Sequence, residues 1–140
     1  MQILKKGDER LLVVSKPVEE FTPELAALAA DLKYAMVANR GVGLAAPQVG
    51  INIRMFVTKE WTEGQPTVFI NPELVESKYP DFMSEGCLSV PGVKVNRRRF
   101  GKVTVRAQDE TGKPFEVTAR GIFAQCIQHE IDHLDGRLIE

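Results

Sequence analysis

Three regimes of apolar spacing run along the chain. Between Thr22 and Gly41, residues Leu25, Leu28, Ala29, Leu32 and Met36 recur three and four apart, as on one helix face. Thr22 is a capping type, Pro23 suits the first helical position, and Glu24 meets the positive end of the helix dipole. Asn39 and Gly41 offer a stop, so the spacing predicts an amphipathic helix over 23–39. The middle of the chain changes to period two. Ile51, Ile53, Met55 and Val57 alternate with Asn52, Arg54, Phe56 and Thr58, which predicts a strand. Thr67–Ile70 is a short apolar run ended by Asn71-Pro72, and Val93 and Val95 alternate with Lys94 and Asn96. Val103–Gln108 and Phe115–Ala119 flank a turn at Asp109–Lys113 and predict a hairpin. Beyond Gly121 the helical spacing returns in Ile122, Phe123, Cys126, Ile127, Glu130 and His133, and Gly136 ends it. The order predicts an α+β fold: antiparallel β-sheets packed around a C-terminal helix, with an amphipathic helix near the N-terminus.

The last helix carries the sharpest chemistry. Its stretch Gln128–His133 contains H-E-x-x-H, and His129 and His133 are the only histidines in the chain. Positions i and i+4 stack along a helix about 6 Å apart, so two imidazoles there can grip one metal ion. Glu130, turned about 100° from His129, can approach a water on that ion without ligating it. A solvated helix face with scattered histidines is the plain alternative. A catalytic tetrahedral site needs a third protein ligand, and no downstream histidine or helically spaced glutamate supplies one. Cys87, in Glu85-Gly86-Cys87-Leu88-Ser89, is the upstream candidate, although most free cysteines are small buried hydrophobes. Cys126 lies off the histidine face and reads as packing. In Gly41–Gln48, two glycines allow close backbone approach and the Gln48 amide can donate to an oxygen; a plain turn between helix and strand would look the same. H-E-x-x-H is shared with zinc endopeptidases, and a non-catalytic metal-binding domain is the other alternative.

Taken together, GVGLAAPQ at 41–48, EGCLS at 85–89 and QHEIDHLDG at 128–136 resemble the three motifs of peptide deformylase, in that family's order. The resemblance covers roughly residues 3–139. It implies a metallohydrolase that removes the formyl group from formyl-methionyl nascent peptides and releases formate. By similarity Cys87, His129 and His133 bind the metal, Glu130 is the general base, and Gln48 with the backbone N–H of Leu88 stabilises the oxyanion. Gly43 and Gly86 fall where the family holds substrate backbone. Val42, Met83, Glu85, Ile122 and Cys126 fall where it lines the methionine pocket. The family implies Fe²⁺, one per chain, replaceable by Zn²⁺, Ni²⁺ or Co²⁺. Typical bacterial members carry a further C-terminal helix tied to ribosome docking. This chain stops four residues after Gly136, which implies a compact variant, bacterial or phage-borne.

Composition narrows the setting. A length of 140 residues predicts a single catalytic domain over 1–140, and 44% hydrophobic with 26% charged residues excludes intrinsic disorder. A net charge of −1 gives no global basic field, hence no specific nucleic-acid partner. No apolar run is long enough to span a membrane, and the N-terminus lacks a signal-like stretch, which points to the cytoplasm; a monomer is expected. Cys87 and Cys126 do not read as a disulfide. The run Arg97-Arg98-Arg99 reads as a solvated loop or strand edge, with a weak ribosome contact as the sharper alternative. Asp132 either pairs with an arginine such as Arg99 or is a helix-surface acid.

Overall fold

The computed structural model describes residues 1–139. Helix α1 spans Pro23–Ala38, and the Thr22 hydroxyl caps it by accepting from the Leu25 N–H at 3.2 Å. Strands β1 (Gly43–Ala45), β2 (Met55–Thr58), β3 (Val68–Cys87), β4 (Val90–Gln108) and β5 (Pro114–Arg120) follow, and α2 (Gly121–Leu134) closes the order. The pairings between these strands are antiparallel, and the strands lie side by side in sequence order. A 3₁₀ turn over Ala46–Val49 links β1 to β2.

The sheet separates two apolar cores. Leu44, Met55, Val57, Val68 and Ile70 face α1, where Leu25, Ala29, Leu32 and Met36 meet them. Ala45, Phe56, Phe69, Val103 and Val105 face α2, against Phe123, Ala124, Ile127 and Leu134. Phe56 and Phe69 stack at 4.7 Å in the second core. With a helix on each face, neighbouring residues of β2 are both buried, so the strand is apolar throughout rather than half wet. Period two therefore misplaced its start: residues 51–54 form no strand, and only an isolated bridge joins Ile53 to Lys16.

Asn71-Pro72 does not end β3 either. Asn71 takes φ 52, and its side chain accepts from the Val18 N–H and donates to the Val18 carbonyl and Gln108. Those bonds hold a bulge, the register shifts between Ile70 and Glu73, and the strand runs on. Likewise the segments at 93–96 and 103–108 belong to one strand, β4, which forms a long ribbon with β3. The three arginines lie inside it and alternate: Arg98 is exposed, Arg97 half-buried, and Arg99 only 5% exposed.

Candidate metal centre and cleft

The far ends of β3 and α2 meet beside the 3₁₀ turn. On α2 the i, i+4 spacing places the His129 and His133 Nε2 atoms 3.2 Å apart. Cys87, last residue of β3, brings its Sγ 3.3 Å from His133 Nε2. The three ligand atoms lie within 4.8 Å of one another, and no fourth cysteine, histidine or carboxylate donor joins the group among the described residues. One sulfur and two imidazole nitrogens converging on a point is a donor set that fits a tetrahedral transition-metal ion with one position open. Two buried imidazole nitrogens that approach this closely need a proton or a cation between them.

A chain of ion pairs holds this geometry from behind. His129 Nδ1 lies 2.7 Å from Glu85 Oε2, Glu85 receives both Nε and Nη2 of Arg99 at 2.9 and 2.6 Å, and Arg99 Nη1 reaches Asp132 at 2.7 Å. Burial works to raise the Glu85 pKa, but Arg99 and His129 outweigh it and hold the carboxyl down to about 2. A carboxylate on Nδ1 fixes which ring nitrogen is left for a metal. Nearby, Glu130 is 3% exposed, and its Oε1 has no hydrogen-bond partner. Burial pushes its pKa up to about 7. A Cβ on Gly43 would stand 2.7 Å from Glu130 Oε2 and 2.8 Å from Cys126 Sγ, so glycine keeps the space beside that carboxylate open. Gln48 is oriented by the Ala45 N–H, which donates to its Oε1 at 3.0 Å. Its amide nitrogen consequently faces Ser89 Oγ at 3.2 Å and Cys87 Sγ at 3.8 Å.

These groups open into a cleft of about 640 Å³. Comparison with known proteins identifies its lineage. The sequence pattern of polypeptide deformylases matches residues 1–140. The chain belongs to that family. It is 44% identical to the peptide deformylase of Hahella chejuensis over 99% of this chain and 83% of the relative. The crystal structure of a peptide deformylase from Legionella pneumophila superposes with a TM-score of 0.93 at 47% identity, covering 98% of this chain and 82% of that one. The deformylase of Vibrio parahaemolyticus bacteriophage VP16T, solved in complex with actinonin, gives a TM-score of 0.91 at 36% identity and is covered along 100% of its length. As a family member, this chain is a hydrolase that deformylates nascent peptides, and peptide deformylases are metalloenzymes.

In this deformylase the cleft wall gathers most of the residues singled out in the sequence. Val42, Gly43, Gln48, Glu85, Gly86, Cys87, Leu88, Ile122, Cys126, His129 and Glu130 all line it. His133 sits behind them, 1% exposed. Met83 stands outside the wall: it shares a face of β3 with Glu85, one step farther along, and is half-buried against the ribbon. Cys126 packs as expected. Its Sγ lies 3.7 Å from the Val42 carbonyl, and burial pushes its thiol pKa well up. Three features escaped the sequence. Glu85 supports His129 as well as lining the cleft. Gln125 donates to the Ser84 carbonyl at 2.7 Å and adds to the wall. Ser89 completes the amide cradle of Gln48. Each depends on a contact some 40 residues away, which no local spacing announces. Among the described residues, no helix is long and apolar enough to cross a membrane.

Proposed function

We propose that residues 1–140 act as one catalytic domain in which Cys87, His129 and His133 hold a single Fe²⁺, exchangeable with Zn²⁺, Ni²⁺ or Co²⁺, and Glu130 is the general base. The observation carrying this reading is the buried, partnerless oxygen of Glu130 beside three converging donors with one position open. When bound, the ion supplies Lewis acidity, which acidifies water and polarises a carbonyl. A formyl-methionyl peptide enters the cleft with its methionine side chain against Val42, Ile122 and Cys126, and Gly43 and Gly86 admit its backbone. Glu130, poised between charged and neutral near pH 7, takes a proton from the attacking water. Charge growing on the former carbonyl oxygen is met by the Gln48 amide and the Leu88 N–H; losing one such donor costs about 2.7–4 kcal/mol of barrier. Glu130 then returns the proton to the amine as the C–N bond breaks and formate leaves.

The open position disfavours a purely structural metal, since closed sites use four protein ligands. Family membership disfavours an endopeptidase. In this reading the enzyme works as a monomer in a bacterial cytoplasm, or in the host cytoplasm if phage-borne. Any ribosome contact is weak and runs through exposed Arg98.

The test is formate release from formyl-Met-Ala by protein purified without oxygen and loaded with iron. Glu130→Ala should keep one metal per chain and lose about 10²–10⁴-fold in turnover. A Glu130→Ala protein with near-normal turnover would overturn the assignment of the base. Faster turnover with zinc than with iron would overturn the choice of metal.

A further inference from the structure

The cleft is acidic at its floor and basic at its mouth. Among the described residues its lining carboxylates are Glu85 and Glu130, both buried. Its exposed charged side chains are Lys5, Arg40 and Lys94, all cationic. Lys5 Nζ donates to the Leu88 carbonyl at 3.1 Å, whereas Arg40 and Lys94 have no ion-pair partner among the described residues.

Arg40 occupies a place that folding alone would fill differently. Both helices end in the same motif. After α2, Gly136 at φ 74 donates to the His133 carbonyl and Arg137 to that of Asp132. After α1, Arg40 at φ 58 donates to the Val37 carbonyl and Gly41 to that of Met36. The first residue of each pair sits in the left-handed region, where glycine is favoured and a side chain is strained. The chain obeys that preference at Gly136 and departs from it at Arg40, the one of the two that borders the cleft. Strain retained in a non-glycine residue at the rim of a site points to a use for its side chain.

We propose that Arg40 and Lys94 select formylated peptides carrying acidic side chains just after the methionine. This rests on the deformylase reading and deepens it. A peptide whose methionine fills the inner cleft must pass its next residues over the mouth. Carboxylates there meet two unpaired cations, and lysines meet like charge. An exposed ion pair changes affinity by a factor of about 2–5, so two together give about 10-fold between acidic and basic peptides at low salt. The proposed contacts are to side chains beyond the methionine and not to the formyl group, so the effect falls on KM.

The experiment compares kcat/KM for formyl-Met-Ala-Glu-Glu-amide, the Gln-Gln peptide and the Lys-Lys peptide. The wild type should prefer glutamate to lysine by about 10-fold at low salt and approach parity near 0.5 M salt, where the screening length is only a few ångströms. Arg40→Asn, which tolerates the left-handed backbone without the charge, should erase most of that ratio when combined with Lys94→Gln. Arg40→Gly should do the same while raising the unfolding midpoint by about 3 °C. Equal rates for all three peptides, or a preference that survives the double variant, would overturn the proposal. Inhibition by a short RNA in the absence of any peptide preference would also overturn it and assign the cations to nucleic-acid phosphate. Failure of wild-type enzyme to turn over formyl-Met-Ala-amide would sink the deformylase reading instead, and this proposal with it.

Discussion

At the scale of single residues, the site depends most on a side chain that touches no reacting atom. Arg99 neutralises Glu85 through two hydrogen bonds inside the protein, and Glu85 orients His129. Removing one member of a buried ion pair leaves the other charge uncompensated, which costs about 3–5 kcal/mol. Arg99→Met should therefore lose that much stability in urea unfolding and, through a misoriented His129, weaken metal binding about 10–100-fold in a chelator competition. Arg98→Met, exposed on the opposite face of the same strand, should change neither. Unchanged metal affinity in Arg99→Met would show that His129 is held by α2 alone. The sequence already allowed Arg99 to pair with Asp132, because the i+3 acid beside a ligand histidine is a natural partner for a base. It did not disclose Glu85 as the hinge of the network: cross-strand register makes Asp81 the residue opposite Arg99, and Glu85 joins Arg99 to His129 only through contacts diagonal along the ribbon and across to α2.

Among the elements, both helices were legible to within a residue at the ends that matter. Apolar spacing and the Thr22 cap are local properties: α1 starts at Pro23 as expected, and α2 starts at Gly121, one residue earlier than expected and without a side-chain cap. The β5 strand and its turn were legible for the same reason. The ribbon was not. Asn71-Pro72 and the arginine run look like breaks, and they are absorbed only because Asn71 ties to Val18 and Arg99 pairs across to Glu85 and Asp132. The turn before β5 permits a test of local control. Asp109 Oδ1 accepts from the Thr111 N–H, the Thr111 hydroxyl and the Lys113 N–H at 2.6–3.0 Å. Those bonds, the Thr111 hydroxyl foremost, lower the Asp109 pKa below its ordinary 3.8. A depressed acid stabilises the fold above its unfolded value and loses that contribution as pH falls through the folded value. Asp109→Asn should thus be less stable than wild type at pH 7. The gap should narrow as both are acidified below about 3.8, followed by denaturant midpoints. A gap that stays constant down to pH 2 would mean the ionised form contributes nothing.

For the whole molecule, the question is what keeps α2 in register with β3, since the donors come from both. The anchor lies at the C-terminal end of α2, immediately after His133. Ser15 N–H and Arg54 Nη1 both donate to the Leu134 carbonyl, at 2.8 and 3.0 Å, and Arg54 Nη2 pairs with Asp135 at 3.0 Å. Leu134 is fully buried against the sheet. Gly136 then turns the chain across the N-terminal segment so closely that a Cβ would lie 2.7 Å from the Leu12 carbonyl oxygen. That obstacle is backbone, anchored by buried Leu11, so relieving the clash moves a stretch of chain rather than one flexible side chain. In Gly136→Ala, left-handed strain of about 1–2 kcal/mol adds to this clash. Either the N-terminal segment lifts or α2 shifts. A shift of α2 moves His129, Glu130 and His133 together against a stationary Cys87, so metal affinity should fall along with the melting temperature. Lifting of the N-terminal segment should instead accelerate amide exchange around Leu11–Ser15 and leave the metal in place. The helix is packed on the sheet by Phe123, Ala124, Ile127 and Leu134, while the segment is held by one buried side chain, Leu11, and a few bonds, so exchange should accelerate first. Loss of metal without faster exchange would show that the C-terminal end of α2 controls the centre more tightly than the core does.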